Sequence, residues 1–149
     1  MIAIVEANTI KYSKSNLITS VIYLRFKSFC FPDDVWYDFS LSVFYDWVYC
    51  LSDVMIREVD LDFWEGPYLV KIKKQNEHFF ASCCDDKFER KVLHTEELDM
   101  KKFLESIYGC LNIIRNSDNV AGFQKEVDLK IEKIILMLDK NMAAIAGAV

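Results

Sequence analysis

The tightest constraint on the fold lies in residues 57–84, REVDLDFWEGPYLVKIKKQNEHFFASCC, where two alternating segments flank the loop Trp64-Glu65-Gly66-Pro67. Four residues is a common hairpin length, and Gly and Pro supply the turn. Antiparallel pairing across that loop sets Phe63 against Tyr68, Leu61 against Val70 and Val59 against Ile72 on one face. The other face then sets Asp60 against Lys71 and Glu58 against Lys73, and opposite charges across a ladder contribute about 0.2–1 kcal/mol each. A slip of one residue would oppose apolar to charged side chains throughout, so the pattern selects its own register.

Glu58, Asp60 and Asp62 point the same way on a strand, as a metal or acid–base site would require. Lys71 and Lys73 stand where they neutralise two of the three, so the row reads as the solvated face of a half-buried strand. A second turn, Gln75-Asn76-Glu77, leads into a third strand, His78 to Cys84, with apolar residues on both faces. Its register stays open, and its two apolar faces make it the more central strand.

Residues 2–12 and 17–29 read as an N-terminal hairpin turned by Ser13-Lys14-Ser15-Asn16. In its second strand Ile18, Ser20, Ile22, Leu24 and Phe26 alternate with Thr19, Val21, Tyr23, Arg25 and Lys27. Arg25 and Lys27 face solvent, and Glu6 and Asn8 interrupt the first strand as in an edge or bulged strand. Next, Phe39, Val43, Phe44, Trp47, Leu51 and Val54 follow a 3.6 period, which predicts a helix over 38–55 capped by Asp38. Strict alternation from Val35 to Tyr45 also fits a strand over 35–45, while length and the continued period favour helix.

After a turn at Asp85-Asp86-Lys87, Arg90 to His94 reads as a short strand. Asp99 then caps a helix striped by Met100, Phe103, Leu104, Ile107, Leu111 and Ile114. Asn116-Ser117-Asp118-Asn119 breaks it, and a last helix carries Val120, Phe123, Val127, Ile131, Ile134 and Leu138 inward, with the small-residue tail from Ala143 packed loosely at its end. Strands followed by helices predict one α+β domain over 1–149. Its antiparallel sheet would hold about five to six strands, two N-terminal and three in the meander, packed on one face by about three helices.

Composition limits the function. A net charge of −5 argues against nucleic-acid backbones, which need clustered Lys and Arg, and favours a basic partner. Five cysteines, an odd number without zinc-type spacing, read as reduced, buried thiols of a cytoplasmic protein. No secretory leader and no membrane-length apolar run is visible. The two histidines have no nucleophile placed by sequence beside them, and the four glycines form no phosphate loop. The expectation is a non-enzymatic protein with no catalytic, cofactor or metal residues.

One surface is built for contact. On the expected helix Asp38, Ser42, Tyr45, Asp46, Tyr49 and Asp53 lie opposite the apolar stripe, preceded by Asp33, Asp34, Trp36 and Tyr37. Aromatic side chains give large contact area for little lost entropy, and carboxylates steer a basic partner. The candidate partner-binding residues are therefore Asp34, Trp36, Tyr37 and Asp38 with Tyr45, Asp46, Tyr49 and Asp53. The competing readings are a small hydrolase or ligand-binding enzyme with a pocket of Glu58, Asp62 and His78, and a scaffold subunit of a larger assembly.

The run Phe31-Pro32-Asp33-Asp34-Val35-Trp36-Tyr37-Asp38-Phe39, then Trp47, then Asp62-Phe63-Trp64-Glu65-Gly66-Pro67-Tyr68, resembles the pattern of small bacterial immunity proteins of polymorphic or contact-dependent toxin systems. The resemblance covers residues 31–70 and consists of packing and turn residues. It implies a cytoplasmic, non-enzymatic protein that binds one cognate toxin domain and blocks it, often with acidic surface against a basic nuclease. Immunity surfaces differ from pair to pair, so it assigns no residue a role.

Overall fold

Val59–Asp62, Tyr68–Gln75 and His78–Asp85 form the antiparallel meander that the alternation dictates. Val59 pairs with Ile72, Asp60 with Lys71 and Leu61 with Val70, and the Phe63 N–H donates to the Tyr68 carbonyl at 3.0 Å. The computed structural model describes residues 1–13, 15 and 17–148. Of the turn expected at 13–16, Lys14 and Asn16 lie outside the described residues, as does Val149.

In chain order the strands are β1 (Ile2–Val5), β2 (Lys11–Tyr12), β3 (Ile18–Arg25), β4 (Cys30–Phe31), β5 (Tyr37–Asp38), β6 (Val59–Asp62), β7 (Tyr68–Gln75), β8 (His78–Asp85) and β9 (Lys91–Leu98). The helices are α1 (Ser40–Leu51), α2 (Met100–Arg115) and α3 (Gln124–Ala146). The fold is α+β, and its strands divide between two antiparallel sheets where one of five to six strands was expected. Alternation marks a segment as strand without naming its partner. Here the chain returns from β4 and β5 to pair again with β3 before it reaches the meander.

The first sheet is organised on β3. Leu24 pairs with Ala3 of β1 and with Phe31 of β4, so those two strands occupy opposite edges. A 3-10 turn at Ala7–Thr9 separates β1 from β2 and accounts for the irregular first strand. The second sheet runs β6-β7-β8-β9, with β8 interior as expected. β7 and β8 are joined at Asn76, whose φ of 55° is a left-handed conformation that Asn tolerates. β9 continues to Leu98, well past the short strand expected at 90–94, with a bulge opposite Cys83 and Cys84.

Both periodicities read at 35–45 are present, in succession. Tyr37 and Asp38 pair with Val21 and Ser20 as strand, and the helical period takes over at Ser40. α1 therefore spans 40–51 instead of 38–55, and Asp38 is not its cap: Phe39 holds the N-cap position with no side-chain hydrogen bond. The buried face of α1, Val43, Phe44, Trp47 and Leu51, is the expected one. It packs on β3, β6 and α3. Asp99 does cap α2, accepting from the Lys102 N–H at 3.0 Å, and all six stripe residues of α2 are buried. α3 starts later than expected because 118–123 form a 3-10 turn that buries Val120. Phe123 leaves the core and stacks on Tyr12 with centroids 3.8 Å apart. Asn141, buried on α3, donates to the Val48 carbonyl at 2.8 Å and pins α3 to α1.

Candidate functional site

The segment before α1 and the meander's first turn meet in one joint built on Asp38. This residue is 1% exposed, so its carboxylate must find its donors inside the protein. Oδ1 accepts from the Phe39 N–H at 2.7 Å. Oδ2 accepts from the Trp64 N–H at 2.9 Å, the Glu65 N–H at 3.3 Å and the Trp36 indole at 3.2 Å. One side chain thereby fixes the loop 64–67 against the start of α1. Trp36 lies edge-on to Tyr68 and Phe63, and a Cβ added at Gly66 would come within 2.8 Å of the Trp36 ring. Gly66 is needed for that close approach. Trp47 completes the joint from α1, its indole N–H donating to the Asp62 carbonyl at 2.7 Å.

The joint decides which expected contact residues reach solvent. Asp38 is interior and so is no free surface group, while Trp36 is half-buried, packed against Phe63 and Tyr68. Asp34 is exposed in the loop before β5, and Tyr37 is exposed beneath the Lys11 ammonium at 5.6 Å from its ring centroid. Asp53, past the end of α1, is occupied by Arg57 at 2.5 Å. Tyr45, Asp46 and Tyr49 remain together on the outer face of α1, with Tyr49 63% exposed.

Beside that face is an acidic crevice of about 130 Å³ between α1 and β6, lined by Asp46, Tyr49, Cys50, Asp60 and Asp62. The row Glu58, Asp60, Asp62 is thus split by function. Lys71 serves Glu58 at 2.9 Å and Asp60 at 3.3 Å, and Arg90 holds Asp60 at 3.1 Å. Lys73, expected opposite Glu58, makes no ion pair with it; Lys71 holds Glu58 and, with a smaller contribution from the Lys73 charge, lowers its pKa. Asp62 has no ion pair or side-chain hydrogen bond among the described residues. Its carboxylate opens to solvent, but the crevice walls displace part of its water, and this desolvation, then the Asp60 charge, raises its pKa above the ordinary aspartate value. Burial likewise raises the neighbouring Cys50 thiol. Sequence reading missed this union of α1 with β6, although Asp62 stood out as the one unneutralised acid of the row. Among the described residues no three of His, Cys, Asp and Glu are grouped to hold a metal ion.

On the other side of Asp46 is a groove of about 320 Å³ between α1 and α3. Trp64, half exposed, stands between the two depressions, and its indole N–H donates to Asp46 Oδ2 at 2.8 Å.

The alternative enzymatic pocket is not assembled. Asp62 sits on the ladder row of Leu69 and Cys84, whereas His78 opens β8 opposite Gln75. Six residues of strand separate those rows, about 20 Å. His78 instead pairs with Glu97 at 2.5 Å, and Glu58 is held by Lys71. His94 packs against Phe26 and Phe29 and meets Glu96 at 3.2 Å. All five cysteines are free, and burial pushes the Cys83 and Cys110 thiols up to about 12, far from a thiolate at neutral pH. None of the described helices is long and apolar enough to cross a membrane.

Fold and site together define an α+β protein whose exposed aromatic helix face borders an acidic crevice. No family model, curated protein or solved structure matches the chain.

Proposed function

We propose that this chain is a bacterial interaction protein that neutralises a cognate toxin domain by covering its basic active-site or substrate groove. The observation that carries the reading is the crevice of Asp46, Asp60 and Asp62 beside exposed Tyr49, with the Asp62 carboxylate crowded and unpaired. A lysine or arginine entering there meets an acid already desolvated in part, so it gains a charge-assisted bond at little further desolvation cost. Tyr49 lines the crevice as a rigid aromatic contact, with Tyr45 exposed on the same helix face, and the net charge of −5 favours a basic partner. Perturbed carboxylates concentrate at functional sites. The resemblance of residues 31–70 to immunity proteins points the same way. Free thiols suit a reducing cytoplasm, and the acidic surface disfavours nucleic acid.

The test is growth of a laboratory bacterium that expresses the open reading frame encoded beside this one, with and without this chain. Rescue from toxicity is expected, together with a complex between the two purified proteins. The double variant Tyr49→Ala with Asp62→Asn should weaken that complex about thirtyfold or more, as a hot-spot loss of about 2 kcal/mol requires. A harmless neighbour, toxicity without rescue, or unchanged affinity of the double variant would sink the proposal.

A further inference from the structure

The groove between α1 and α3 lies across Asp46 from the acidic crevice and has a different chemistry. Its walls are apolar, with Leu41 from α1, Ile134 from α3 and Leu17 just before β3. The half-exposed Trp64 ring forms its end, held by the bond from its indole to Asp46. Lys130 and Lys133 line the α3 side, three residues apart and so on one face of the helix. Lys133 has no ion pair or hydrogen bond among the described residues. The Ser42 hydroxyl lies across from them on α1.

An apolar slot with one fixed aromatic ring and a few convergent polar groups is the general form of a small-ligand site. We propose that this groove binds an apolar monocarboxylate, its body against Trp64, Leu41 and Ile134 and its carboxylate on the Lys133 ammonium. Asp46 sets the orientation: the acid end of the ligand turns from it, towards α3. The volume of about 320 Å³ suits a compact body of one or two rings. Two sources carry this chemistry, a free organic acid and the carboxylate end of a polypeptide whose last residue is apolar. The groove shares Asp46 and Tyr45 with the proposed toxin-binding surface but uses neither Tyr49 nor Asp62, so the variants that test the two readings differ.

The probe is naphthoate, followed by the indole proton resonance of Trp64, which the Trp64→Phe variant assigns. Saturable displacement of that resonance is expected. Naphthylmethanol, the neutral analogue, should bind about tenfold more weakly, and Lys133→Glu should weaken naphthoate by at least as much, as loss of a charge-assisted bond implies. Lys133→Met should give a smaller loss, and Lys125→Glu, elsewhere on exposed α3, none. A second arm compares acetyl-Gly-Phe as free acid and as amide. Tighter binding of the peptide acid identifies a chain end as the source, and tighter binding of naphthoate identifies a free acid. Failure of both acids to move the Trp64 resonance, or equal affinity of acid and neutral analogue, would overturn the proposal.

Discussion

Replacing Asp38 tests the joint on which both surface features depend. Its two oxygens accept four N–H groups, from Phe39, Trp64, Glu65 and the Trp36 indole, in a site 1% exposed. In Asp38→Asn the amide oxygen takes the position of Oδ2, where three donors converge, and the new NH2 then faces the Phe39 N–H. One buried donor is left unpaired, at about 1–3 kcal/mol, and three charge-assisted bonds become neutral ones, each losing about 0.5–1 kcal/mol. The expected loss is about 2.5–6 kcal/mol. For a domain of this size that is a fall in Tm of about 5–25 °C. Asp38→Ala, which removes both acceptor oxygens and leaves all four donors unpaired, should lose more. Urea unfolding followed by tryptophan fluorescence and circular dichroism measures both. Asp46→Asn, whose single bond to Trp64 is at the surface, is the comparison and should lose about 1 kcal/mol or less. If Asp38→Asn unfolds within about 1 kcal/mol of the parent with an unchanged slope, the carboxylate does not hold the joint and the argument from its four donors is wrong.

Gly66→Ala should destabilise by about 1–3 kcal/mol, because its Cβ would stand 2.8 Å from a Trp36 ring wedged against Phe63 and Tyr68; a neutral result in the same unfolding assay would show that the ring can retreat. Asp62→Asn should raise Tm at pH 7 and leave it unchanged near pH 3. The folded pKa of Asp62 lies above its unfolded value, so its ionisation lowers stability progressively as pH rises from the ordinary aspartate range through the raised value, and the amide escapes that loss. A Tm gain that persists in acid would mean the effect is steric and not electrostatic.

The meander was legible because its constraint is local. Opposite charges and apolar residues at period two leave one register for 57–75, and the observed pairs are those. α2 was legible for a similar reason, having a side-chain cap and a stripe within one segment. The limits of α1 were not. Residues 35–39 carry a strand alternation and a helical period at once, and the choice fell to β3, which offered Val21 and Ser20 as partners to Tyr37 and Asp38. The candidate surface shows the same division. Tyr45, Asp46 and Tyr49 share an outer helix face by spacing alone. Asp38 matched that pattern too, yet the meander turn supplied the N–H groups that drew it inside, and the same turn packs Gly66 against a half-buried Trp36.

The sequence by itself therefore determined the register of β6 on β7, the helical stripes, the acidic balance and the exposed tyrosines of α1, since each depends on residues close together in the chain. Tertiary structure alone decided that the strands divide between two sheets, and that Asp38 serves as an internal acceptor. It also decided that Asp62 of β6 shares a crevice with Tyr49 of α1, and that Lys133 of α3 and Trp64 line one groove. Periodicity fixes which way a side chain points from its own element. What it then meets depends on how elements far apart in sequence pack, and no local pattern encodes that.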